Sequence, residues 1–361
     1  MVLKKIISFF IFIINASTME SFQFCSKNRV LFICKRRYIY SQHTQTNISS
    51  GLYNSAKFVV DMLNDNMINA KLVDVIDNNC IDKEVTQYKP THVVIEALWV
   101  TPDKFEILQK LHPRVKWIIR LHSEIPFLAN EGVAMDWLYK YLKYRNVIIG
   151  ANSERMVKQL SSILGHVVLY MPNYYPLSKT EKHKDKNRKH INIGCFGAIR
   201  PLKNQLIQAI SAIEFGNNLG RSIHFHINAT RIEGKGDPIL KNIENLFLNN
   251  PKHKLIKHEW MNHHDFNHVI RKMDIGMQVS YSETFNIVAA DFVNNNIPIV
   301  VSPEIFWVAD IFKADPNSID SIKSRLKFAW NFRKLGLQKL NKSKLKTYNA
   351  DSRDVWVKYF K

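Results

Sequence analysis

Residues 191–228 read INIGCFGAIRPLKNQLIQAISAIEFGNNLGRSIHFHIN and contain the pattern that decides the fold. The apolar run at 191–196 predicts a buried strand, the segment 204–215 a helix, and 223–228 the next strand. Parallel neighbouring strands need such a helical crossover, whereas antiparallel strands can be joined by a short turn. This stretch therefore predicts one unit of a doubly wound parallel sheet.

The same alternation of strands and helices extends in both directions along the chain. Upstream, strands are expected at 30–34, 71–76, 92–100, 117–121, 147–150 and 167–171. Downstream, they are expected at 254–258, 275–279 and 297–301, followed by a helical stretch from residue 318. The fold class is therefore α/β, with two Rossmann-like doubly wound parallel-sheet domains facing across a cleft. That cleft is the expected ligand site.

A Lys-rich segment separates the two halves of this pattern. The predicted organisation is a leader or extension at 1–27, a first Rossmann-like domain at 28–177, a basic linker at 178–190, a second Rossmann-like domain at 191–335 and a C-terminal helix at 336–361. The aromatic residues of the last segment predict that it crosses back onto the first domain.

The amino-acid composition excludes several classes of protein. The chain has 361 residues, of which 46% are hydrophobic and 23% charged, which excludes a disordered chain and a polytopic membrane protein. The formal net charge of +20 is concentrated in residues 1–40, 178–190 and 333–361. This distribution favours an anionic partner such as a membrane surface, a nucleic acid or a charged glycan, with a merely solvated surface as the alternative.

The cysteines and the N-terminus indicate the compartment. Cys25, Cys34, Cys80 and Cys195 are scattered without a paired motif, which favours a reducing, cytoplasmic environment, with or without peripheral attachment to a membrane. The apolar run at 6–16 is too short to span a bilayer. It has the length of a signal-peptide core, so a secretory signal at 1–18 and a later start at Met19 both stay open.

Two carboxylates mark the segment 280–301, SYSETFNIVAADFVNNNIPIVV. Glu283 lies in the loop after a predicted strand, and Asp291 lies eight positions later on the following helix. Carboxylates accept hydrogen bonds from sugar hydroxyls, and the helix N-terminus beside Glu283 offers free N–H groups to an anion. Such a pair can bind a sugar, but two acids eight residues apart also occur by chance on many helices, so the spacing alone leaves both interpretations open.

A basic loop follows the strand at 191–196. In GCFGAIRPLKN, residues 194–204, Gly197 permits close approach of the backbone to a ligand. Arg200 offers a fork of donors and Lys203 a point charge, so that the two could hold the two phosphates of a nucleotide-diphospho-sugar.

Together these two segments resemble glycosyltransferase family 4, the glycosyl transferases group 1. Glu283 and Asp291 stand at the acids of the family's E-x7-E segment, and Phe285 and Pro298 match its Phe and Pro. The second acid is Asp rather than Glu, and three asparagines replace the small residues usual before the Pro. The resemblance covers 191–310 most clearly and implies a GT-B fold.

The resemblance also implies an activity and site residues. The implied reaction is a retaining, metal-independent transfer from a nucleotide-diphospho-sugar to a glycan, lipid-linked or nucleic-acid acceptor, with no cofactor. The implied catalytic residues are Glu283, Lys203, Arg200 and His122, which follows a strand in the first half. The implied donor-binding residues are Gly51, Gly197, Arg200, Lys203, Glu283, Thr284, Phe285, Asn286 and Asp291, with Asp291 on the ribose.

Several alternatives stay open at this stage. One is a sugar transferase that acts on DNA, and another is a basic GT-B-like binding protein without activity. Asn152 and Ser153 could touch a substrate, although a helix cap is the preferred interpretation. No metal site is expected, because the histidine-rich segment 258–268 lacks the Glu of a helical H-E-x-x-H motif and a third ligand. Its Trp260 loop could flank the nucleotide base.

Overall fold

The computed structural model describes residues 27–36, 51–178 and 189–361. The candidate secretory signal at 1–18 and almost all of the basic linker at 178–190 lie outside these residues.

The apolar runs of the first half form a parallel sheet in the order β2-β1-β3-β4-β5-β6. Its strands are β1 Arg29–Lys35, β2 Asn69–Val75, β3 His92–Glu96, β4 Lys116–Leu121, β5 Val147–Ala151 and β6 Leu169–Tyr170. The helices of this half are α1 Gly51–Asp65, α2 Ile81–Tyr88, α3 Lys104–Leu111, α4 Ile125–Leu128, α5 Ala134–Tyr141 and α6 Glu154–Leu164. Most strand residues are buried because helices cover both faces.

The second half repeats the design with a parallel sheet in the order β11-β10-β7-β8-β9. Its strands are β7 His190–Gly194, β8 Ser222–Asn228, β9 Lys254–His258, β10 Ile275–Gln278 and β11 Ile299–Val301. The helices are α7 Gln205–Asn218, α8 Asp237–Leu248, α9 His263–Ile270, α10 Ile287–Asn294, α11 Ile319–Phe332 and α12 Lys339–Phe360. A 3-10 turn, Pro201–Lys203, precedes α7.

The last helix, α12, packs against the first sheet. Trp356 and Phe360 are fully buried there, and the Trp356 ring lies 5.7 Å from the ring of Phe32 in β1. The Trp356 indole N–H donates to the carbonyl of Pro172 at 2.8 Å. The final residues of the chain therefore stabilise the first half of the molecule.

The sheet orders place the functional region. In the first sheet, β2 lies on one side of β1 and β3 on the other, so the direction in which strands are added reverses at β1. In the second sheet, β8 and β10 lie on opposite sides of β7, and the direction reverses there. Such switch points leave a crevice beyond the carboxyl ends of the central strands. Among the described residues, no helix combines the length and the apolar character needed to cross a membrane.

Two local predictions need correction. The strand predicted at 92–100 ends at Glu96, because Ala97 adopts a left-handed backbone with φ 71° and the chain turns out of the sheet. Trp99 then folds back, and its indole donates to the Glu96 carbonyl at 3.0 Å. Helix α2 was not predicted, since its eight residues bury only Ile81 and Val85 and carry little periodic signal.

Candidate functional site

The carboxyl ends of the two sheets open into one cleft of about 320 Å³. Most of the side chains expected from the sequence line it. From the first half come Gly51 and His122, and from the second half come Gly197, Arg200, Lys203, Glu283, Thr284 and Asn286. The cleft is therefore shared by both halves of the molecule.

Lys203 and Glu283 form an ion pair in the second half of the cleft. Lys203 ends the 3-10 turn before α7, and Glu283 lies in the loop after β10. The Lys203 ammonium donates to Glu283 Oε1, and the two side chains are only 13% and 9% exposed. The backbone N–H of Tyr281 donates to the Leu202 carbonyl at 2.9 Å, which ties the two loops together.

Arg200 lies between a carboxylate and an aromatic ring. Its Nη1 donates to Glu233 at 3.3 Å, and its guanidinium lies 4.8 Å from the centre of the Phe127 ring of the first half. Its Nε is buried and has no hydrogen-bond acceptor among the described residues. A buried N–H without an acceptor destabilises the folded state, because it has lost its hydrogen bonds to water. An anionic ligand could supply the missing acceptor to Arg200.

A second arginine, Arg231, was not predicted. Arg231 donates to Glu233 at 2.7 Å and stacks 4.5 Å above the Trp260 ring, so Glu233 is shared between two guanidinium groups. All three side chains line the cleft. No sequence signal pointed to Arg231 or Glu233, because the loop after β8 reaches the site only through the folding of the second sheet, whereas the Trp260 loop was already a candidate to flank the nucleotide base.

Gly197 holds the loop after β7 in a conformation that other residues avoid. Its φ is +120°, and its N–H donates to Asn228 Oδ1 at 2.9 Å. A Cβ at this position would meet only the Lys203 side chain, at 3.9 Å. The glycine is therefore required by backbone conformation rather than by lack of space.

The loop before α10 positions Thr284 and Asn286 at the cleft. Asn286 adopts a left-handed backbone with φ 66°, and its side chain caps α10 by accepting from the Ala289 N–H at 2.8 Å. The Thr284 hydroxyl donates to the His122 carbonyl at 3.2 Å. This bond joins the second half of the molecule to the first at the site.

Phe285 does not line the cleft. Its side chain is fully buried between the rings of Trp307 and Tyr348, at 5.5 and 5.3 Å. The Trp307 indole donates to the Phe285 carbonyl at 2.8 Å. The Phe285 ring therefore anchors the loop that carries Thr284 and Asn286 at the cleft.

His122 faces the cleft from the end of β4 and is held by a buried ion pair. Glu96 and Arg120 are register partners on β3 and β4, both without exposed side-chain surface, and Arg120 Nη1 donates to Glu96 at 3.0 Å. His122 Nε2 contacts the other Glu96 oxygen, and Asn152 Nδ2 lies 3.4 Å from His122 Nδ1. This network assigns the proton to Nε2 and leaves Nδ1 as an acceptor.

The electrostatics keep His122 neutral. Burial lowers its pKa, and Arg120 adds to this lowering, so that the pKa stays below its ordinary value although Glu96 raises it. Burial by itself would raise the pKa of Glu96. The charges and hydrogen bonds of Arg120 and His122 outweigh the effect of burial, so the pKa of Glu96 lies below its ordinary value. At neutral pH the site therefore contains a carboxylate and an imidazole that can accept a hydrogen bond.

Asn152 and Ser153 have different roles. The Ser153 hydroxyl accepts from the Met156 N–H at 3.1 Å, which confirms the predicted cap of α6. Asn152 instead reaches across the cleft and donates to the Thr284 hydroxyl at 3.0 Å. Its Oδ1 is buried without a donor among the described residues.

Asp291 lies beside a second, smaller cavity of about 70 Å³ next to the cleft. The side chain is 1% exposed, and Oδ1 accepts from Tyr175 Oη at 2.7 Å and from His263 Nε2 at 2.6 Å. Burial and the Asp291 charge raise the pKa of Tyr175. Burial lowers the pKa of His263, but the hydrogen bond and charge of Asp291 outweigh burial and raise it.

The remaining histidines of segment 258–268 do not converge on one point. His258 bonds to His226 at 2.9 Å, whereas His264 packs edge-on against His268 with ring centres 4.7 Å apart. Within residues 27–36, 51–178 and 189–361, no three side chains of the metal-binding types come close enough together to hold an ion.

Comparison with known proteins identifies the fold. No family model and no curated protein matches the chain. Sucrose-phosphate synthase from Thermosynechococcus elongatus is similar in structure, with a TM-score of 0.67 and 10% identity over 92% of this chain and 98% of that one. A UDP-forming trehalose-phosphate synthase from Burkholderia xenovorans gives 0.62 and 11% over 92% and 98%.

A third similar structure is a TarM variant from S. aureus in complex with fondaparinux, alpha-GlcNAc-glycerol and UDP. Its TM-score is 0.58 with 12% identity over 74% of this chain, which spans about 55% of the length of TarM. These neighbours are GT-B glycosyltransferases. The predicted GT-B fold, with its two Rossmann-like α/β units, is confirmed.

Proposed function

We propose that the chain is a glycosyltransferase that moves a sugar from a nucleotide-diphospho-sugar to an acceptor, with retention of configuration and without a metal ion. The observation that carries this proposal is the convergence of Arg200, Lys203 and Glu283 in one cleft, with His122 contributed by the other sheet. The similar structures support it, since the names of two of them mention UDP.

The diphosphate of the donor would lie against the loop after β7. Gly197 lets the backbone approach, Arg200 supplies its buried Nε–H, and Lys203 adds a compact charge. As the bond from the anomeric carbon to the diphosphate breaks, its electron pair moves to the departing oxygen, the acceptor oxygen forms the new bond to that carbon, and the acceptor's proton passes to the released diphosphate. Arg200 and Lys203 are held in place before the reaction, and they would stabilise the negative charge that develops on the departing oxygen in the transition state.

The transferred sugar would lie between Glu283 and His122. The Glu283 carboxylate accepts hydrogen bonds from sugar hydroxyls, and a further hydroxyl would replace the long 3.4 Å contact from Asn152 as the donor to Nδ1 of the neutral His122. The bond between Thr284 and the His122 carbonyl holds these two groups in one arrangement. Both sides of the sugar ring would then be fixed before the acceptor arrives.

The acceptor would enter along the first sheet. That wall of the cleft contains Trp99, Phe127 and Leu128, which offer flat and apolar surfaces suited to the face of a sugar ring. We therefore propose a glycan acceptor, free or lipid-linked. A nucleic-acid acceptor is the alternative indicated by the net charge of +20.

Product analysis tests the proposal. The purified chain is incubated in EDTA with UDP-, GDP-, ADP- and TDP-glucose and with glycan or DNA acceptors, and nucleotide release is measured. We expect release with one donor nucleotide, and NMR of the product should show the anomeric configuration of the donor. The double variant R200A/K203A should be inactive, while Lys257→Ala, which removes an exposed lysine paired with Glu244, should match the wild type. Release that requires a divalent ion, or product of inverted configuration, would overturn the corresponding part of the proposal.

A further inference from the structure

The smaller cavity adjoins the part of the cleft assigned to the diphosphate. Gly51, Gly197 and Trp260 line both spaces. A nucleotide whose diphosphate lies beside Arg200 and Lys203 would therefore extend its nucleoside into the smaller cavity. The walls of that cavity are apolar at Met261 and Phe266.

The polar side chains that line this cavity are His263, Asp291, Asn54 and Asn228, and only His263 and Asp291 among them can carry a charge. Asp291 is nearly inaccessible, and its Oδ1 already accepts two hydrogen bonds. His263 is more exposed, with 25% of its side chain accessible. The imidazole is therefore more accessible to a ligand than the carboxylate behind it.

The orientation of His263 is fixed on several sides. Asn262 caps the first turn of α9, and the ring packs edge-on against Phe58 of α1 and Tyr175, with ring centres 5.5 and 6.4 Å away. Because Nε2 is engaged by Asp291, Nδ1 is the ring nitrogen that remains for a bound molecule.

We propose that His263 makes the charge-assisted contact to the nucleoside part of the donor, and that Asp291 is a positioning residue that acts through it. This inference rests on the proposed function, since it assumes a nucleotide in the cleft. It assigns to His263 the contact that the sequence pattern predicted for Asp291. The substitution of Asp for the longer Glu is thus matched by a histidine supplied from a neighbouring helix.

The proposal predicts a dependence of affinity on pH. When protonated, His263 donates from Nδ1 to a ribose or phosphate oxygen while Nε2 stays on Asp291. When deprotonated, Nδ1 loses both its hydrogen and its charge. The titratable groups facing the ring are Asp291 from α10 and Tyr175 from the segment after β6, and Asp291 favours the charged imidazole. Donor affinity should therefore fall as pH rises.

Binding measurements at two pH values test this. UDP-, GDP-, ADP- and TDP-glucose are titrated by calorimetry at pH 6.0 and 8.5 in EDTA, because their diphosphates do not titrate in that range. For the donor that binds, wild-type affinity should fall about tenfold between the two values, as for loss of one charge-assisted hydrogen bond. His263→Asn should bind about tenfold more weakly at pH 6.0 and show no pH dependence. The neighbouring His264→Asn, with a side chain 82% exposed, is the matched control and should behave as the wild type.

The outcomes separate the two proposals. If no nucleotide-sugar binds, both fail. If a donor binds and His263→Asn retains wild-type affinity and pH dependence, while Asp291→Asn abolishes binding, only the assignment to His263 is overturned. If His263→Asn does not fold, NMR titration of His263 in the wild type decides, because a nucleotide that contacts the imidazolium must raise the pKa of this residue. An unchanged His263 pKa on donor binding would contradict the proposal.

Discussion

The ammonium of Lys203 donates to the carboxylate of Glu283 across 80 residues of sequence, and both side chains are largely buried at the edge of the same cleft. The pair joins the loop after β7 to the loop after β10, which flank the switch point of the second sheet. One group would serve the diphosphate and the other the sugar, so their contact fixes the separation of the two subsites.

A double-mutant cycle tests this coupling. Lys203→Ala should reduce kcat/KM for the donor by ten- to a hundredfold, because a hydrogen bond to a charged group contributes about 1.5–3 kcal/mol. Glu283→Gln should also reduce it, and the double variant should lose less than the product of the two effects, since the single variants each leave one partner unpaired. Purely multiplicative effects would contradict a functional pair.

Glu233→Gln should strengthen donor binding. Glu233 accepts from both Arg200 and Arg231, and its charge competes with a diphosphate for the Arg200 guanidinium. We expect the KM for the donor to fall about threefold or more, on the scale of one partly exposed ion pair, with little change in kcat. Glu244→Gln, which alters an exposed pair with Lys257, is the control. A rise in KM would show instead that Glu233 orients the arginines.

Gly197→Ala should affect the loop after β7 through backbone strain. The φ of +120° is unfavourable for alanine, although a Cβ would have room. We expect a loss of about 1–3 kcal/mol in the free energy of unfolding, or a relaxed loop with weaker donor binding. Gly132→Ala is the control, because a Cβ there meets nothing within 4 Å and no positive φ opposes it. Thermal unfolding and donor titration report the two effects, and a variant equal to wild type in both would refute the role of this backbone.

His92 should make stability depend on pH. Burial, with the Lys116 charge, lowers the pKa of His92 to about 4, and the ring packs against Phe360 of α12 at 5.2 Å. In the unfolded chain His92 binds a proton near pH 6.5, whereas in the folded chain it stays neutral down to about pH 4. The free energy of unfolding is therefore highest above pH 6.5 with respect to this group and falls as pH falls toward 4.

His92→Gln should remove this part of the pH dependence. The difference between wild type and variant in the free energy of unfolding should change by on the order of 3 kcal/mol between pH 7 and pH 4. Chemical denaturation at several pH values measures it, with exposed His264→Gln as control. Parallel curves for wild type and His92→Gln would contradict the assignment.

Much of the fold was predictable because local patterns carry it. Runs such as VLFIC in β1 and INIG in β7 have the length and apolar character of buried strands, and their alternation with helical segments predicts parallel sheets. The Arg200, Lys203 and Glu283 cluster was predictable for a related reason. Each residue follows a strand, and strand ends in a parallel sheet meet at one edge.

The remaining features depend on register and on loops. In the sequence, Arg120 is only a charged residue within the apolar strand WIIRL at 117–121. Nothing in the sequence shows that the parallel register places it beside Glu96 on β3. Glu233 and Arg231 belong to a loop without periodicity. Phe285 matches a family position, yet its ring fills the core rather than the site. Packing between elements distant in sequence decides all three cases.

Calorimetric titration of nucleotide-diphospho-sugars in EDTA tests the central claim most directly. The account predicts that one nucleotide class binds the wild type, and that the R200A/K203A variant binds at least a hundredfold more weakly while it unfolds at a similar temperature. Absence of binding by every donor, or equal binding by the variant, would contradict the claim that this cleft holds the diphosphate.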